Sequence, residues 1–205
     1  MGAKDANCTY PTMERFPTLQ GEGAWSGHAA WFIRLGGCDV GCAWCDVKES
    51  WPAREHPMLD VESLVQEAVA SGLPRVVITG GEPCMYDLEP LTAGLQSSGL
   101  ATHLETSGAH PASGRWDWVT LSPKKFKPCL EEWYAVADEL KVVVVNAHDL
   151  DWAEEHAQRV EHGTALFLQP EWDRRDKVMG HVLNKIQQSP KWRLSLQTHK
   201  FIGLP

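Results

Sequence analysis

Short β-rich runs alternate with segments of helical spacing along most of this chain, and that pattern leaves few folds open to it. The β-rich runs cover residues 29–35, 75–79, 102–106, 118–121, 140–145, 165–169 and 192–198. Alternation of this kind is typical of α/β proteins with a parallel sheet. The sequence therefore predicts either an open doubly wound sheet or an incomplete β/α barrel.

The clearest predicted helix follows Asp60, a favourable N-cap residue, and ends before Gly72. Its predicted buried face consists of Leu64, Val65, Ala68 and Val69. Further helices are predicted over 88–97, 149–161 and 174–188. These segments lie between predicted strands, as the crossovers of a parallel sheet require.

Composition and charge limit the class of protein. A chain of 205 residues suits one domain, which we place at 1–205. The net charge is −8 and the basic residues are not clustered, which argues against a nucleic-acid partner. No stretch approaches the roughly 18 apolar residues of a membrane span, and the N-terminal segment lacks the apolar core of an export signal. We therefore expect a cytoplasmic protein with no membrane partner.

Polar and glycine-rich residues follow most of the predicted strands. The segments in question are 36–38, 79–83, 105–108, 122–124, 169–172 and 197–199. In open α/β sheets and in β/α barrels, ligands bind at the carboxyl ends of the strands. We expect these segments to meet at one edge of the sheet and to form the binding site there.

Three of the six cysteines, Cys38, Cys42 and Cys45, lie within eight residues, among glycines. Clustered thiols in a reducing compartment indicate a metal site. Structural zinc usually has four protein ligands arranged as pairs, and no second Cys or His pair of suitable spacing follows. The loop therefore favours an iron–sulfur cluster over zinc. Three ligands for four irons leave one iron open to a substrate or cofactor.

The Cys-x3-Cys-x2-Cys spacing, with an aromatic residue before the third cysteine, resembles the signature of radical S-adenosylmethionine (SAM) enzymes. The resemblance implies a [4Fe–4S] cluster on the three cysteines, SAM on the open iron, and a radical formed by reductive cleavage of SAM. It also implies an incomplete β/α barrel. The SAM-contacting positions that it implies are Trp44, Cys45, Asp46, Gly80, Gly81, Glu82, Ser122, Pro123, Lys124, Gln169, Pro170, Glu171 and Trp172.

Within that superfamily, segment 18–23, the cysteine loop and segment 197–200 together resemble the 7-carboxy-7-deazaguanine synthases of queuosine biosynthesis, over essentially the whole chain. Those enzymes convert 6-carboxy-5,6,7,8-tetrahydropterin to 7-carboxy-7-deazaguanine with loss of ammonia, a carbon–nitrogen lyase reaction. The resemblance implies a homodimer and an electron donor such as a flavodoxin or ferredoxin. The substrate-contacting positions that it implies are Leu19, Gln20, Gly21, Glu22, Arg34, Thr79, Glu105, His199 and the carboxylate of Pro205.

Two of these positions, Arg34 and His199, also make chemical sense for a carboxylated pterin. Alternation along the first predicted strand turns Arg34 to the inside, where a guanidinium can bind a carboxylate. In the last predicted strand alternation places Arg193, which we expect to be solvated, on the same polar face as His199. His199 at the strand exit can move a proton during ammonia loss and is a predicted catalytic residue. Glu105 is the second predicted catalytic residue, on the strength of the resemblance alone.

The residue after Asp46 departs from the family pattern. Most relatives carry Asp-Thr there, and the threonine hydroxyl ligates a magnesium ion that bridges to the substrate. This chain has Val47, which offers no oxygen ligand. Two interpretations stay open: magnesium is held by substrate, water and other groups, or its charge is supplied differently, with Lys48 as a candidate.

Two other functions remain alternatives at this stage. A glycyl-radical activase would share the cluster and SAM but would need an open groove for a partner polypeptide. A non-catalytic zinc-binding module would hold stoichiometric zinc and no iron. The resemblance implies contacts to a small anionic substrate, which favour the synthase over both alternatives.

Overall fold

The structure is a computed structural model that describes residues 8–205, so residues 1–7 of the expected domain lie outside the description. Its nine strands form one sheet in the order β3-β1-β2-β4-β5-β6-β7-β8-β9. The strands are β1 (Thr9–Leu19), β2 (Ala29–Leu35), β3 (Met58–Asp60), β4 (Arg75–Gly80), β5 (Ala101–Thr106), β6 (Trp118–Leu121), β7 (Glu139–Val144), β8 (Ala165–Pro170) and β9 (Trp192–Leu194). The helices are α1 (Val61–Ala70), α2 (Glu89–Ser97), α3 (Glu132–Val136), α4 (Asp149–Ala157), α5 (Arg175–Gln188) and α6 (Thr198–Ile202).

The sheet is an incomplete β/α barrel, as the sequence predicts. From β2 to β9 each strand pairs in parallel with the next in the sheet, while β1 pairs antiparallel with β2 and with β3. β3 and β9 end the sheet and do not pair with each other. The open side leaves the inner face of the sheet accessible to ligands.

The apolar core lies between the sheet and its helices. Side chains such as Ile78, Leu104 and Leu140 are fully buried against Leu91 and Trp133 of the helical layer. Burying each large apolar side chain contributes about 1.5–3 kcal/mol, and this layer fixes the strands in register. The opposite face of the strands is therefore free to carry polar residues at their carboxyl ends.

Helix α1 begins as predicted and differs in one detail of its buried face. The Asp60 carboxylate accepts a hydrogen bond from the Ser63 backbone N–H at 2.8 Å, as expected of an N-cap. Leu64 and Ala68 are buried, whereas Val69 is 48% exposed. The predicted core position of Val69 is wrong, because the contact with the sheet is narrower than the apolar stripe.

Two further predictions need correction. Strands β1 and β3 were not expected; β1 contains two prolines and charged residues, which hide its alternation. The predicted strand over 192–198 ends at Leu194, and the chain then forms helix α6 from Thr198. Between residues 8 and 205, no helix is long and apolar enough to cross a membrane.

Candidate active site

The cysteine loop leaves β2 at the inner edge of the sheet and is held there by backbone hydrogen bonds. Gly37 N–H donates to the Ser50 carbonyl at 2.6 Å, and Cys38 N–H donates to the Trp51 carbonyl at 3.2 Å. Gly37 has φ +100°, a conformation that favours glycine. Its Cβ position would fall 2.4 Å from the Tyr86 hydroxyl, so a side chain is excluded there as well. The conformation of the loop at Gly37 therefore depends on glycine, where the loop packs against Ser50 and Tyr86.

The Gly80-Gly81-Glu82 segment at the end of β4 packs against this loop. Gly81 N–H donates to Leu35 O and Glu82 N–H donates to Gly37 O, both at 2.9 Å. A Cβ on Gly81 would lie 2.1 Å from the Gly37 carbonyl oxygen. The second glycine therefore permits a close approach that couples the end of β4 to the cysteine loop.

The Glu82 side chain is buried and saturated with hydrogen bonds. Its Oε1 accepts from Thr106 Oγ1 at 2.6 Å and from Cys84 N at 3.1 Å. Its Oε2 accepts from the Ser107 backbone N–H at 2.8 Å and from the Ser107 hydroxyl. The carboxylate consequently ties β4 to the end of β5 and has a fixed orientation.

A cavity of about 190 Å³ lies directly below the cysteine loop. Cys38, Cys42 and Cys45 all line it, together with most of the positions that the sequence assigned to SAM. Those positions are Trp44, Asp46, Gly80, Gly81, Glu82, Ser122, Lys124, Gln169, Glu171 and Trp172. Pro123 lines a neighbouring cavity instead, and Pro170 lines neither. The strand ends therefore converge as expected.

The three thiols fit a multi-iron cluster better than one metal ion. Burial raises the pKa of the Cys38 thiol and raises that of Cys42 to about 11, so a metal would displace protons on binding. In the part of the chain that the structure describes, no three His, Cys, Asp or Glu side chains are arranged to hold a single metal ion. A cluster spreads its cysteine ligands over several irons, which suits three thiols ringing a cavity.

A second cavity of about 170 Å³ adjoins the first. It contains every position that the sequence assigned to the substrate: Leu19, Gln20, Gly21, Glu22, Arg34, Thr79, Glu105, His199 and Pro205. Glu22, Glu105, Thr79 and Gln197 line both cavities. A ligand in the second cavity would therefore lie beside a ligand in the first.

Lys141 links the two carboxylates of the shared wall. Its Nζ donates to Glu105 Oε2 at 2.6 Å and to Glu22 Oε2. Burial alone would raise the pKa of Glu22, but the Lys141 ammonium lowers it to about 2. Both carboxylates are thus held as hydrogen-bond acceptors.

The Arg34 side chain reaches the second cavity and is ion-paired in the structure. Its Nη1 donates to Glu14 Oε2 at 2.8 Å, and its guanidinium lies 5.1 Å from the centre of the Phe16 ring. The inward orientation predicted from alternation is confirmed. The pairing with Glu14 on β1 was not foreseen, because β1 was not predicted.

His199 lies on helix α6 and not at the exit of a strand, which corrects the sequence prediction. Its ring packs directly on Gly21, where a Cβ would fall 1.9 Å from Nδ1. Burial lowers the pKa of His199 despite the neighbouring Glu22, so the imidazole is neutral at pH 7. A neutral ring can accept a proton or a hydrogen bond from a ligand.

The C-terminal tail turns back toward the second cavity after α6. Gly203 has φ +70° and ends the helix in the left-handed conformation, which reverses the chain. Thr18 Oγ1 donates to the Pro205 carbonyl oxygen at 3.5 Å. The last residue thereby reaches the mouth of the cavity.

Lys48, the candidate to supply charge in place of magnesium, does not reach the site. It lines neither cavity, and its ammonium lies over the Trp51 ring.

Sequence reasoning missed Lys141 in these walls, and it placed Gln197 in a predicted site segment without assigning it a contact. Lys141 is a lone charged residue in the apolar run Leu140–Val144, and that interruption was a usable signal. Gln197 Nε2 donates to Glu22 Oε1 at 2.9 Å. Only the fold shows that β7 and the segment before α6 face the same carboxylate.

Comparison with known proteins agrees with this geometry. The sequence profile of the Radical SAM superfamily matches residues 32–151. The chain is 52% identical over 199 residues to the 7-carboxy-7-deazaguanine synthase of Synechocystis sp., covering 96% of this chain and 94% of the relative. It is 49% identical over 195 residues to the 7-carboxy-7-deazaguanine synthase of Flavobacterium psychrophilum, covering 95% and 92%.

The chain belongs to the 7-carboxy-7-deazaguanine synthase family of radical SAM enzymes. The crystal structure of QueE from Escherichia coli superposes on it with a TM-score of 0.84 at 34% identity, covering 93% of this chain and 95% of that one. Membership in the radical SAM superfamily implies a [4Fe–4S] cluster and SAM as cofactors. Neither the glycyl-radical activase nor the zinc module is favoured by these relatives.

Proposed function

We propose that this enzyme converts 6-carboxy-5,6,7,8-tetrahydropterin to 7-carboxy-7-deazaguanine with loss of ammonia, and is thus a carbon–nitrogen lyase. The observation that carries the proposal is the pair of adjoining cavities. One is lined by the three cysteines, the other by cationic and anionic side chains suited to a small carboxylated ring, and they share Glu22 and Glu105. This arrangement suits a substrate held beside a reactive cofactor.

The residues of the first cavity would hold the cofactors. Cys38, Cys42 and Cys45 would ligate the cluster, and the Gly80–Glu82 segment and the ends of β6 and β8 would hold SAM. When bound, the cluster and SAM supply the one-electron chemistry that removes a hydrogen atom from the substrate. The chain would fix these groups in place and exclude competing reactions. The hydrogen-bonded Glu82 carboxylate and the close glycine contacts support a rigid wall for this purpose.

The residues of the second cavity would orient the pterin. Arg34 would bind the carboxylate of the pterin. The guanidinium would either release Glu14 or keep that ion pair and bind the pterin with its other N–H groups. Glu22 and Glu105 would accept hydrogen bonds from the N–H groups of the guanidine-like ring edge. His199, neutral at pH 7 because burial lowers its pKa, would take up or return a proton at the ring nitrogen that leaves as ammonia.

Magnesium does not fit the donors around Asp46. Val47 has no oxygen ligand in its side chain. The Asp46 carboxylate accepts hydrogen bonds from Lys200 Nζ and from Gln197 Nε2, the latter at 3.4 Å. We infer that turnover is unaffected by a chelator of divalent cations or by added Mg²⁺; strict dependence on Mg²⁺ would show that another ligand has taken the place of threonine.

The remaining assignments rest on the family alone. We propose a homodimer, a flavodoxin or ferredoxin as reductant, and one radical SAM domain over the whole chain. Light scattering of the purified protein would measure the dimer. Comparing the rates with reduced flavodoxin and reduced ferredoxin would identify the donor.

The reaction itself is tested by an anaerobic incubation of the reconstituted enzyme with the carboxylated tetrahydropterin, SAM and a reductant. We expect 7-carboxy-7-deazaguanine by mass spectrometry and one ammonia per product. Omitting SAM or the reductant should abolish both. Cleavage of SAM without conversion of the pterin would contradict the proposed substrate.

A further inference from the structure

Lys141 is the more deeply buried of the two lysines that line the first cavity. It lies on β7, where its neighbours Leu140 and Val142 point into the core between sheet and helices. Alternation turns Lys141 to the inside of the barrel, and its side chain is only 3% exposed. A buried ammonium is costly unless it is paired and hydrogen-bonded, so its partners indicate what it does.

Both partners of Lys141 are predicted substrate-binding residues, and each is held at its other oxygen by an amide. Glu105 Oε1 accepts from Gln20 Nε2 at 2.8 Å. Glu22 Oε1 accepts from Gln197 Nε2 at 2.9 Å. The ammonium therefore sits at the centre of a network in which two carboxylates have fixed positions.

Lys141 lies behind these carboxylates as seen from the substrate cavity. Glu22 and Glu105 line both cavities, whereas Lys141 lines only the one below the cysteine loop. A ligand in the second cavity would meet the carboxylates and not the ammonium. Any effect of Lys141 on that ligand must consequently pass through Glu22 and Glu105.

The charges around the network show why a cation is needed there. Glu139 precedes Lys141 on the same face of β7, and His199 of α6 lies near Glu22. Lys124, after β6, lines the first cavity together with Lys141. Three acidic groups thus crowd one buried region. Two carboxylates that share a site without a cation cannot both stay ionised near their usual pKa.

Lys141 is unsuited to proton transfer. Burial would lower its pKa, but Glu105, Glu22 and Glu139 raise it above the ordinary value. The side chain therefore keeps its proton at neutral pH. This leaves positioning and charge compensation as its chemistry.

We propose that Lys141 is a positioning residue that fixes Glu22 and Glu105 through its two hydrogen bonds and compensates their charge, so that both accept hydrogen bonds from N–H groups of the pterin ring. The inference rests on the proposed function for the identity of the ligand. The ionisation of Glu22 does not depend on that identity and can be measured without substrate.

The kinetic test compares Lys141→Met, Lys141→Arg and, as a matched control, Lys185→Met on α5. Lys185 pairs with Glu154, which Lys191 also contacts, so this control removes a lysine far from the cavities. We expect Lys141→Met to raise the KM for the pterin by about 10- to 100-fold at pH 7, with kcat changed less than about threefold. Lys141→Arg should recover most of the loss, and Lys185→Met should match the wild type.

The pH profile separates positioning from general damage to the fold. Without the ammonium, burial raises the pKa of Glu22, and the acid limb of kcat/KM should move up by at least about one pH unit. In a Glu22→Gln background, Lys141→Met should cost less than in the wild type, because part of its effect passes through Glu22. Additive effects, or an unchanged KM and acid limb, would overturn the proposal.

A substrate-free measurement keeps the proposal testable if the pterin is not the substrate. Carboxyl ¹³C NMR of glutamate-labelled protein, with Glu22 assigned by Glu22→Gln, should show an ionised Glu22 at pH 4 in the wild type and in Lys141→Arg. The doubly substituted Glu22→Gln/Lys141→Met protein, with two charges fewer, provides a folded reference for Glu105 if Lys141→Met alone does not fold. Glu22 protonated at pH 4 in the wild type would overturn the inference, whereas wild-type protein that makes no product would overturn only the proposed function.

Discussion

Single residues carry the cofactor assignment, and the cysteines give the simplest test. Changing Cys38, Cys42 or Cys45 to Ala removes one of three protein ligands of the cluster. The iron content of each variant should fall from about four irons per chain to well below one, and the absorbance of the cluster near 400 nm should be lost with it. Cys129→Ser is the matched control, since Cys129 lines neither cavity. Retention of the full iron content in Cys45→Ala would contradict the ligand set.

Arg34 tests the substrate-carboxylate site. Losing a charge-assisted hydrogen bond costs about 1.5–3 kcal/mol, so Arg34→Gln should raise the KM for the pterin by roughly 10- to 150-fold. Arg15→Gln is the control, because Arg15 pairs with Glu67 of α1 on the opposite face of the sheet. A substrate analogue without the carboxylate should bind wild type and Arg34→Gln alike; a KM equal in both enzymes for the normal substrate would exclude this role.

The individual site residues differed in how well the sequence predicted them. Arg34 was placed correctly because strand alternation is a local rule. Lys141 and the ion pair with Glu14 were missed because both depend on partners distant in the chain, Glu22 in one case and an unpredicted strand in the other. Local patterns give the direction of a side chain, while its partners depend on the tertiary fold.

Among the elements, the segment after β9 shows how tertiary hydrogen bonds can end a strand although polar and apolar residues still alternate. Ser195 donates to Gln169 Oε1 at 2.7 Å and accepts from Gly23 N–H at 2.9 Å, and Thr198 N–H donates to Gly21 O. The bonds to Gly21 and Gly23 of the β1–β2 connection, together with the bond to Gln169 of β8, end the strand at Leu194. Alternation alone predicted a longer strand because it contains no information about that loop.

The position of helix α6 and its tail leads to a prediction about the chain end. An extension after Pro205 would place added chain beside the second cavity, which Pro205 lines, so it should raise the KM for the pterin. An N-terminal extension of equal length should not. Steady-state kinetics of the two tagged proteins measures the difference, and equal values of KM would remove Pro205 from the site.

Strand β7 begins with a buried carboxyl group, that of Glu139. Its Oε2 accepts a hydrogen bond from the Ala24 N–H at 2.8 Å. Burial raises its pKa to about 7 although Lys141 opposes the shift. A folded-state pKa above the unfolded value of 4.5 gives stability that is complete below pH 4.5 and is lost as the pH rises through 7.

Replacing Glu139 by Gln should therefore change the pH dependence of unfolding. Glutamine keeps an acceptor for Ala24 and carries no charge, so Glu139→Gln should be more stable than wild type at pH 8.5, by about 1–3 kcal/mol, and lose that advantage at pH 5. Urea unfolding at the two pH values measures it. The exposed Glu155→Gln should show no such pH dependence, and a Glu139→Gln advantage independent of pH would contradict the assignment.

For the molecule as a whole, the alternation of elements and the polar strand ends were enough to predict a parallel α/β fold and the edge at which the candidate site lies. The choice of an incomplete barrel over a doubly wound sheet rested on the family resemblance. The sheet has two strands more than predicted, β3 and the long antiparallel strand β1 beside β2. Pro11, Glu14, Arg15 and Pro17 interrupt its apolar pattern, so propensity argued against it. Its pairing with β2 and β3 outweighs that propensity.

Electron paramagnetic resonance of the reduced, anaerobically reconstituted protein examines the open iron on which all of this chemistry depends. Three cysteine ligands leave one iron of four without a side chain, so adding SAM should change the signal of the reduced cluster, in protein with about four irons per chain. A signal that does not respond to SAM, or protein that holds stoichiometric zinc instead of iron, would contradict a cofactor site beneath the cysteine loop.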